Sequence, residues 1–254
     1  MRIELSVVII TYNEEKNIGR CLDSVKDIAD DIVVVDSYST DRTEDICLEK
    51  GARFIQHSFH SHIDQKNWAI TQAKFPIILS LDADESLSDA LKKSILEVKN
   101  NWKFDGYYFN RLTNYCGKWI RHTTWYPSRK LRLWDSRKGS WGGMNPHDKF
   151  ILDQNSTKKY LKGDILHYSY YSMDEHLDQL EKFSSIHAQS SFDIGVKTNI
   201  FSRGLHTSWR FLNDYIFRLG FLDGRSGFII SKLGAREVYL KYTKLRNLWR
   251  EKTR

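Results

Sequence analysis

The chain has 254 residues, of which 41% are hydrophobic and 13% aromatic, so it can bury a sizeable core and does not have the composition of a disordered protein. Its three cysteines, Cys21, Cys47 and Cys116, show neither zinc-ligand spacing nor a paired pattern, which favours a reducing compartment. The formal net charge of +7 is concentrated near one end, because residues 197–254 hold 13 Lys and Arg against 4 Asp and Glu, and this predicts a local anionic partner unless the tail is only a solvated helical face.

No exported or membrane-crossing segment is predicted. Residues 1–5 lead directly into a strand without the pattern of a secretory signal, and no stretch approaches the roughly 18 apolar residues that a spanning helix needs. The sequence therefore predicts a cytoplasmic protein, and the basic tail favours a peripheral position on the inner face of the cytoplasmic membrane.

The first hundred residues alternate between strand and helix. Strands are predicted at residues 6–12, 32–35, 54–56 and 77–81, and helices at residues 13–26, 39–50, 63–74 and 88–100. Strands separated by helices at this spacing form βαβ units, so the predicted fold is α/β, with a mostly parallel sheet covered by helices on both faces.

The pattern changes after residue 100. Residues 106–134 are aromatic and strand-like with breaks, which predicts strands that extend the sheet around a loop-rich region. The glycine-containing run from Trp141 to Pro146 predicts a loop, and the residues from Met173 onward have a helical pattern.

Three carboxylates follow the fourth predicted strand, in the run Leu81-Asp82-Ala83-Asp84-Glu85. Burying ionised carboxylates is costly unless a metal or hydrogen-bond donors compensate. Two acids spaced i, i+2 at the carboxyl end of a strand can converge on one divalent cation and on the phosphates that it carries. The run therefore predicts a metal-assisted enzyme that acts on a phosphorylated donor.

The first two strands also end in polar residues. Tyr12 offers a stacking face for a base, and Thr11 and Glu14 offer hydrogen bonds, although an ordinary helix start would look the same. Asp36 could accept a hydrogen bond from a ribose hydroxyl or a base N–H. Lys66, near the start of the third helix, is either a diphosphate contact or a solvated lysine. Neither the dinucleotide-binding glycine motif nor the P-loop motif occurs, so those nucleotide folds are not indicated.

Several segments resemble glycosyltransferase family two. In the first half these are VIITYNEE (8–15), VDSYSTD (35–41) and LDADE (81–85). In the second half, RLW (132–134), WGG (141–143), HD (147–148), GDILHYSY (163–170), LDG (222–224) and KY (241–242) are similar to the lipopolysaccharide core glucosyltransferase branch. The resemblance implies the GT-A fold, which is Rossmann-like, and inverting transfer from a nucleotide-diphosphate sugar.

The resemblance also implies roles for individual residues. The side chains expected around the nucleoside are Tyr12, Glu14 and Asp36. Asp84 would bind the metal directly, whereas Asp82 would face the ribose or a metal-bound water. The hard oxygen ligands indicate Mg²⁺ or Mn²⁺, which would bridge the donor diphosphate. His167 would be a further metal ligand or phosphate contact, or else a structural histidine.

Inverting transfer also needs a general base beside the acceptor hydroxyl. The resemblance assigns this role to Asp148, expected in a loop over the donor, although this branch more often has Glu at that position. Asp135 and Glu85 are the alternative bases. His147 would orient the base or only pack.

Aromatic and basic residues precede this loop, namely Tyr126, Arg129, Lys130 and Arg132. They suit a charged acceptor such as phosphorylated heptose or an acidic inner-core sugar, with Tyr126, Arg129 and Arg132 as the acceptor-binding residues. No nucleic-acid motif accompanies the cluster, so nucleic acid is not a predicted partner.

The basic tail contains an amphipathic helix. Its apolar residues fall within an arc of about 80° at about 100° per residue, and they are Phe201, Leu205, Trp209, Leu212, Ile216 and Leu219. Such a helix can lie in an anionic membrane interface, or pack on the domain or on a second subunit. The oligomeric state is not indicated.

Taken together, the sequence predicts an inverting hexosyltransferase that moves a sugar such as glucose from a UDP-sugar to a lipid-linked saccharide such as lipopolysaccharide core. Residues 1–100 would form the nucleotide-sugar-binding half, residues 101–170 the acceptor and catalytic half of the same domain, and residues 171–254 a membrane-associating helical region. One alternative is a nucleotidyltransferase, which would need a glycine-rich basic loop after the first strand. The other is a catalytically inactive membrane-bound adaptor with the same fold.

Overall fold

The computed structural model describes residues 2–144 and 147–252, without the side chains of Met144 and His147. The chain divides into two compact units. The first comprises Met1–Arg111 and Ser128–Tyr168, and the second comprises Leu112–Pro127 and Ser169–Arg254. The division predicted at residues 100 and 170 stays a prediction.

Strand and helix alternate through residue 100, as predicted. The elements are β1 (Leu5–Thr11), α1 (Ile18–Val25), β2 (Asp31–Asp36), α2 (Thr43–Glu49), β3 (Arg53–Gln56), α3 (His62–Thr71), β4 (Ile77–Asp82), β5 (Glu85–Leu87) and α4 (Asp89–Asn100). Strands β3, β2, β1 and β4 lie side by side in that order and are parallel. Their carboxyl ends therefore meet at one edge of the sheet, which is where α/β proteins bind ligands.

After residue 100 the described part of the chain has six more strands, most of which extend this sheet, as predicted. They are β6 (Gly106–Tyr115), β7 (Lys118–Ile120), β8 (Ser128–Asp135), β9 (Gly139–Met144), β10 (His147–Leu152) and β11 (Lys158–Tyr170). The sheet order is β3-β2-β1-β4-β8-β6-β11-β5, with β7 paired to β6. Strand β8 is antiparallel to β4, and β6 is antiparallel to β8. Strands β9 and β10 form a separate antiparallel hairpin.

Alternate residues of the central strands enter two cores on opposite faces of the sheet. In β4, Ile77, Leu79 and Leu81 pack with side chains of α1, α2 and α4. Ile78 packs on the other face with side chains of α3 and of the β9–β10 hairpin. Period-two alternation of this kind places apolar groups on both faces, so the predicted α/β fold with helices on both sides is confirmed.

The C-terminal region is helical, as predicted. It contains α5 (Met173–Asp193), α6 (Ile200–Leu212) and α7 (Gly224–Lys252). Reciprocal capping boxes start α5, at Ser172 with Glu175, and α6, at Asn199 with Ser202. In the part of the chain that the structure describes, no helix has both the length and the apolarity needed to cross a membrane.

The first helix starts later than predicted. Instead of beginning at Asn13, α1 begins at Ile18. Asn13 adopts a left-handed conformation with φ 52°, which asparagine tolerates better than most residues. Its side-chain oxygen accepts a hydrogen bond of 2.8 Å from Thr40 N, and its N–H donates one of 2.7 Å to Ser39 Oγ. Tertiary contacts to the loop after β2 therefore replace the first helical turn.

The loop predicted at residues 141–146 is also wrong, because residues 141–144 belong to strand β9; residues 145–146 lie outside the described part. Trp141 is buried opposite Phe150 of β10. At Gly139, a Cβ would lie 2.1 Å from Ile151 O, so only glycine permits this close pairing. Glycine here indicates close strand contact, and not a turn.

Candidate active site

The parallel strands bring the predicted donor-binding residues to one edge. Thr11 ends β1 and lies opposite Asp36, which ends β2. Asp82 ends β4 and pairs with Ile10 of β1. Three segments that are distant in sequence thus meet at neighbouring strand ends.

The nucleoside candidates differ in exposure. Tyr12 is 58% exposed, so its ring is available for stacking. The Thr11 hydroxyl is buried and has no hydrogen-bond partner within the described part of the protein. Asp36 is fully buried and accepts hydrogen bonds from Ser39 N at 2.7 Å and Ser39 Oγ at 2.5 Å. The Asp36 carboxylate therefore shapes the loop after β2, and its contact with a nucleoside stays a prediction.

Sequence reasoning missed Tyr38. It is 54% exposed and has a left-handed backbone with φ 63°, in the loop that follows β2. The available signal was an aromatic side chain two residues after the strand-ending Asp36. Because Asp36 lies opposite Thr11, exposed rings follow both of these neighbouring strand ends, Tyr12 after β1 and Tyr38 after β2.

Glu14 is half-buried near Asp84. Burial raises the pKa of Glu14, and the negative charges of Asp84 and Asp41 raise it further. The hydrogen bond of 2.7 Å from Asn17 Nδ2 to Glu14 Oε2 partly offsets this. The loop after β1 and the acids after β4 are therefore close enough to interact electrostatically.

Asp82 is held by two cations. Arg132 Nη2 lies 2.9 Å from Asp82 Oδ2, and Lys66 Nζ lies 3.1 Å from Asp82 Oδ1. Burial alone would raise the pKa of Asp82, but Arg132 and Lys66 together hold it well below its usual range. Asp82 therefore stays ionised at neutral pH.

Glu85 lies beneath Asp82 and is fully buried. It accepts a hydrogen bond of 3.0 Å from Asp82 N, and its other oxygen lies 3.2 Å from Arg132 Nη2 and 3.6 Å from Arg111 Nη1. Burial disfavours the Arg132 cation, but Asp82 and Glu85 more than compensate and raise the pKa of Arg132. Arg132, predicted to bind acceptor, is itself buried between these two carboxylates.

Asp135, one of the alternative bases, lies elsewhere. It pairs with Ile77, the first residue of β4, whereas the acids follow the last residue of that strand. Its carboxylate binds the Arg137 side chain at 2.8 and 2.6 Å. Asp135 is therefore at the wrong edge of the sheet to act on the same substrate.

Asp84 and His167 form the candidate metal site. Asp84 Oδ2 lies 3.1 Å from His167 Nε2, and Asp84 O accepts a hydrogen bond of 3.0 Å from Tyr168 N. Two ligands on neighbouring corners of an octahedral ion, each about 2.1 Å from the metal, are about 3 Å apart, so this pair fits Mg²⁺ or Mn²⁺. No group of three or more His, Cys, Asp or Glu ligands occurs among the described residues. Water and a diphosphate would complete the coordination.

Asp148 lies in strand β10, not in the predicted loop. Its Oδ2 accepts a hydrogen bond of 2.8 Å from Lys66 Nζ. Asn67 of α3 binds both backbone groups of Trp141, at 2.9 and 3.0 Å, and fixes the hairpin that carries Asp148. Lys66 therefore joins Asp148 to Asp82. The predicted role of His147 concerns a side chain outside the described part.

Arg129 and Tyr126 are the other acceptor candidates. Arg129 is exposed, and its guanidinium lies about 6 Å from the ring centres of Tyr108 and Tyr160. Tyr126 belongs to the second unit. Their contacts with an acceptor stay predictions.

Comparisons with known proteins identify the family. The Glycosyl transferase family 2 model matches residues 6–176. A glycosyltransferase of Rickettsia typhi is 30% identical over 96% of this chain and 87% of its own length. The lipopolysaccharide core biosynthesis glycosyltransferase LpsC of Rhizobium meliloti is 28% identical over 96% of this chain and 92% of its own length. Among solved structures, TarS of S. aureus in complex with UDP is 14% identical with a TM-score of 0.47, covering 98% and 92% of the two chains.

The family match also bears on the fold. It covers β1 to the first turn of α5, which includes the complete sheet and the acids after β4. With the parallel order β3-β2-β1-β4 at the core of that sheet, it confirms the predicted GT-A fold.

Proposed function

The chain belongs to glycosyltransferase family 2, and we propose that it is an inverting enzyme that moves a hexose, such as glucose, from a UDP-sugar onto a lipid-linked saccharide such as lipopolysaccharide core. The observation that carries this proposal is the cluster at the carboxyl end of β4. There Asp84 lies beside His167, and Lys66 links Asp82 to Asp148. The similarity to LpsC, named for lipopolysaccharide core biosynthesis, supports the acceptor class.

The loops after β1 and β2 would bind the nucleoside. The exposed ring of Tyr12 supports stacking on the base, and the buried hydroxyl of Thr11 is available for a hydrogen bond. Glu14 and Asp36 are the proposed partners for ribose or base N–H and O–H groups. In this arrangement the diphosphate would lie next to the acids that follow β4.

Asp84 and His167 would hold Mg²⁺ or Mn²⁺, which when bound supplies positive charge to the diphosphate leaving group. Asp148 would accept the proton of the acceptor hydroxyl while the hydroxyl oxygen bonds to the anomeric carbon. The bond from that carbon to the diphosphate oxygen breaks in the same displacement, which inverts the configuration. Lys66 would orient the Asp148 carboxylate for this step.

The exposure of α6 supports a proposed position on the membrane surface. Apolar side chains on this helix are open to solvent, with Phe201 88%, Leu205 70% and Trp209 56% exposed. The surrounding tail is strongly basic, and basic helices with exposed aromatic residues bind anionic lipid interfaces. A lipid-linked acceptor in the cytoplasmic leaflet would make this position useful to the enzyme.

UDP release tests the reaction. The purified protein is mixed with a panel of UDP-sugars, with Mn²⁺ or with a chelator, and Asp84→Asn is assayed in parallel. We expect slow hydrolysis of one sugar that requires the metal and is lost in Asp84→Asn. Asp89→Asn, at a fully exposed carboxylate on α4, is the matched control and should keep the activity. The absence of any UDP binding, with or without metal, would overturn the proposal.

A further inference from the structure

Two cations share one face of strands β6 and β8. Lys130 pairs with Phe109, and Arg111 pairs with Ser128. Because alternate residues of a strand share a face, Lys130 and Arg111 are diagonal neighbours. Arg132 lies at a bulge further along β8, and it shares the carboxylate of Glu85 with Arg111. The sequence signal for Arg111, one arginine in an aromatic strand, was too weak to single it out.

These cations are unequally compensated. Arg132 has both Asp82 and Glu85 as partners. Arg111 shares Glu85 at 3.6 Å, and its Nε is buried without a hydrogen-bond partner in the described part of the chain. Lys130 is half-buried and makes no ion pair within the described residues. Two adjacent positive groups thus retain unused hydrogen-bond donors.

Ion pairs connect these cations to the proposed base, because Arg132 binds Asp82, and Lys66 joins Asp82 to Asp148. Burial, together with the charges of Arg111 and Arg132, lowers the pKa of Lys130 to about 8, although Glu85 and Asp148 act in the opposite direction. A half-buried amine that faces two guanidinium groups is unfavourable until an anion joins it. Because Asp148 must be next to the acceptor hydroxyl, that anion would be carried by the acceptor.

We propose that Lys130 and Arg111 bind an anionic group, a phosphate or a carboxylate, on the acceptor saccharide; this inference rests on the proposed function. The donor diphosphate is a less suitable occupant, since its site is the Asp84–His167 pair after β4. The charge-assisted hydrogen bonds would select charged saccharides over neutral ones and would hold the acceptor against Asp148.

Calorimetric titration of the full-length protein tests this without requiring catalysis. The probes are glucose 6-phosphate, glucuronate and uncharged glucose, each added with and without saturating UDP and Mn²⁺. We expect one charged probe to bind at least about tenfold more tightly than glucose, and its identity distinguishes phosphate from carboxylate. Its affinity should persist when UDP is bound.

Variants locate the binding. Lys130→Met and Arg111→Met should each weaken the charged probe by about tenfold. Lys93→Met, at an exposed lysine of α4, should leave it unchanged. Above about pH 8 the wild-type protein should progressively lose affinity as Lys130 deprotonates, whereas Lys130→Arg should retain it, because arginine stays charged.

The possible failures are distinguishable. Equal binding of charged and neutral sugars, or unchanged affinity in Lys130→Met, would overturn this inference even if UDP binds with metal. Displacement of the charged probe by UDP would assign the cations to the donor and would also overturn it. Absence of UDP binding would overturn the proposed function, while the effect of Lys130→Met on the probe would still be measured.

Discussion

The Lys66 amine lies 2.8 Å from Asp148 Oδ2 and 3.1 Å from Asp82 Oδ1. One lysine on α3, only 5% exposed, thus connects the acid at the end of β4 to the acid on the β9–β10 hairpin. A cation between two carboxylates offsets their mutual repulsion and restricts their orientation. The position of the proposed base therefore depends on a residue from a different part of the sequence.

Replacing Lys66 should affect catalysis more than donor affinity. We expect Lys66→Met to lower kcat by about tenfold or more, because Asp148 loses the partner that orients it, and to change the Kd of UDP by less than about threefold. Steady-state kinetics and calorimetry measure the two quantities. Lys66→Arg, which keeps the charge, is the matched variant. A rise in Kd as large as the fall in kcat would instead make Lys66 a diphosphate contact.

Removing either candidate metal ligand should abolish metal-dependent UDP binding. We expect Asp84→Asn and His167→Ala to weaken UDP binding in Mn²⁺ by about tenfold or more, and to leave the weak binding in chelator unchanged. Calorimetry with and without Mn²⁺ gives both values, with Asp89→Asn as the control. If both variants still bind UDP as much more tightly with Mn²⁺ as the wild type does, the metal ion binds at a site other than Asp84 and His167.

Arg132→Met should destabilise the protein strongly. It leaves Asp82 and Glu85 without their shared cation, and breaking a buried pair costs about 3–5 kcal/mol. In the folded protein the pKa of Asp82 lies below its value in the unfolded chain. The stabilisation that the Asp82–Arg132 pair contributes is therefore complete above the unfolded pKa, and it is lost as the pH falls through the folded pKa. The deficit measured by urea unfolding should thus be largest near neutral pH and shrink below about pH 4.

Arg137→Met provides the comparison for Arg132→Met. Arg137 also pairs with a carboxylate, Asp135, but its side chain is 67% exposed. We expect Arg137→Met to lower the free energy of unfolding far less than Arg132→Met does, because an exposed ion pair is screened by water and salt. Similar losses in the two variants would contradict a special role for the buried network.

His176 should make the second unit sensitive to acid. Its ring packs at a tilt against Tyr170 with a ring-centre distance of 4.6 Å, its Nδ1 lies 3.2 Å from Tyr115 Oη, and burial lowers its pKa to about 4. The unfolded chain therefore binds the proton first, so stability falls as pH drops from about 6.5 to about 4. We expect His176→Gln to reduce the fall in the free energy of unfolding between these pH values by about 1 kcal/mol, measured by urea unfolding. His62→Gln, at an exposed site, should keep the wild-type pH profile.

The apolar residues of α6 should bind lipid. We expect the double change Leu205→Ser and Trp209→Ser to weaken binding to phosphatidylglycerol vesicles by about tenfold, measured by sedimentation, because the helix loses inserted apolar area. Leu48→Ser, at a 56% exposed position on α2, is the control. Unchanged vesicle binding would contradict this prediction. A change in oligomeric state with no effect on lipid binding would assign α6 to contact with a second copy of the chain.

Local sequence patterns predicted the helices and strands correctly where the buried positions follow the repeat of the helix or strand. The strand that ends at Asp82 is apolar on both faces, and its composition was enough to predict it. The helix predicted to end at residue 50 is followed by Gly51, whose φ of 73° suits glycine. Patterns failed at Asn13 and at residues 141–144, where contacts with other segments outweigh local preference. A glycine that permits close strand pairing looks like a turn glycine in the sequence.

The sequence by itself determined which carboxylates end the strands, Asp36 and Asp82 among them, because strand periodicity and apolar content are local properties. Only the tertiary structure decided which groups meet them. Arg132 reaches Asp82 across 50 residues, and Lys66 reaches Asp148 across 82. These pairings depend on the register of β8 against β4 and on the seating of the β9–β10 hairpin against α3, and both are fixed by packing over the whole sheet.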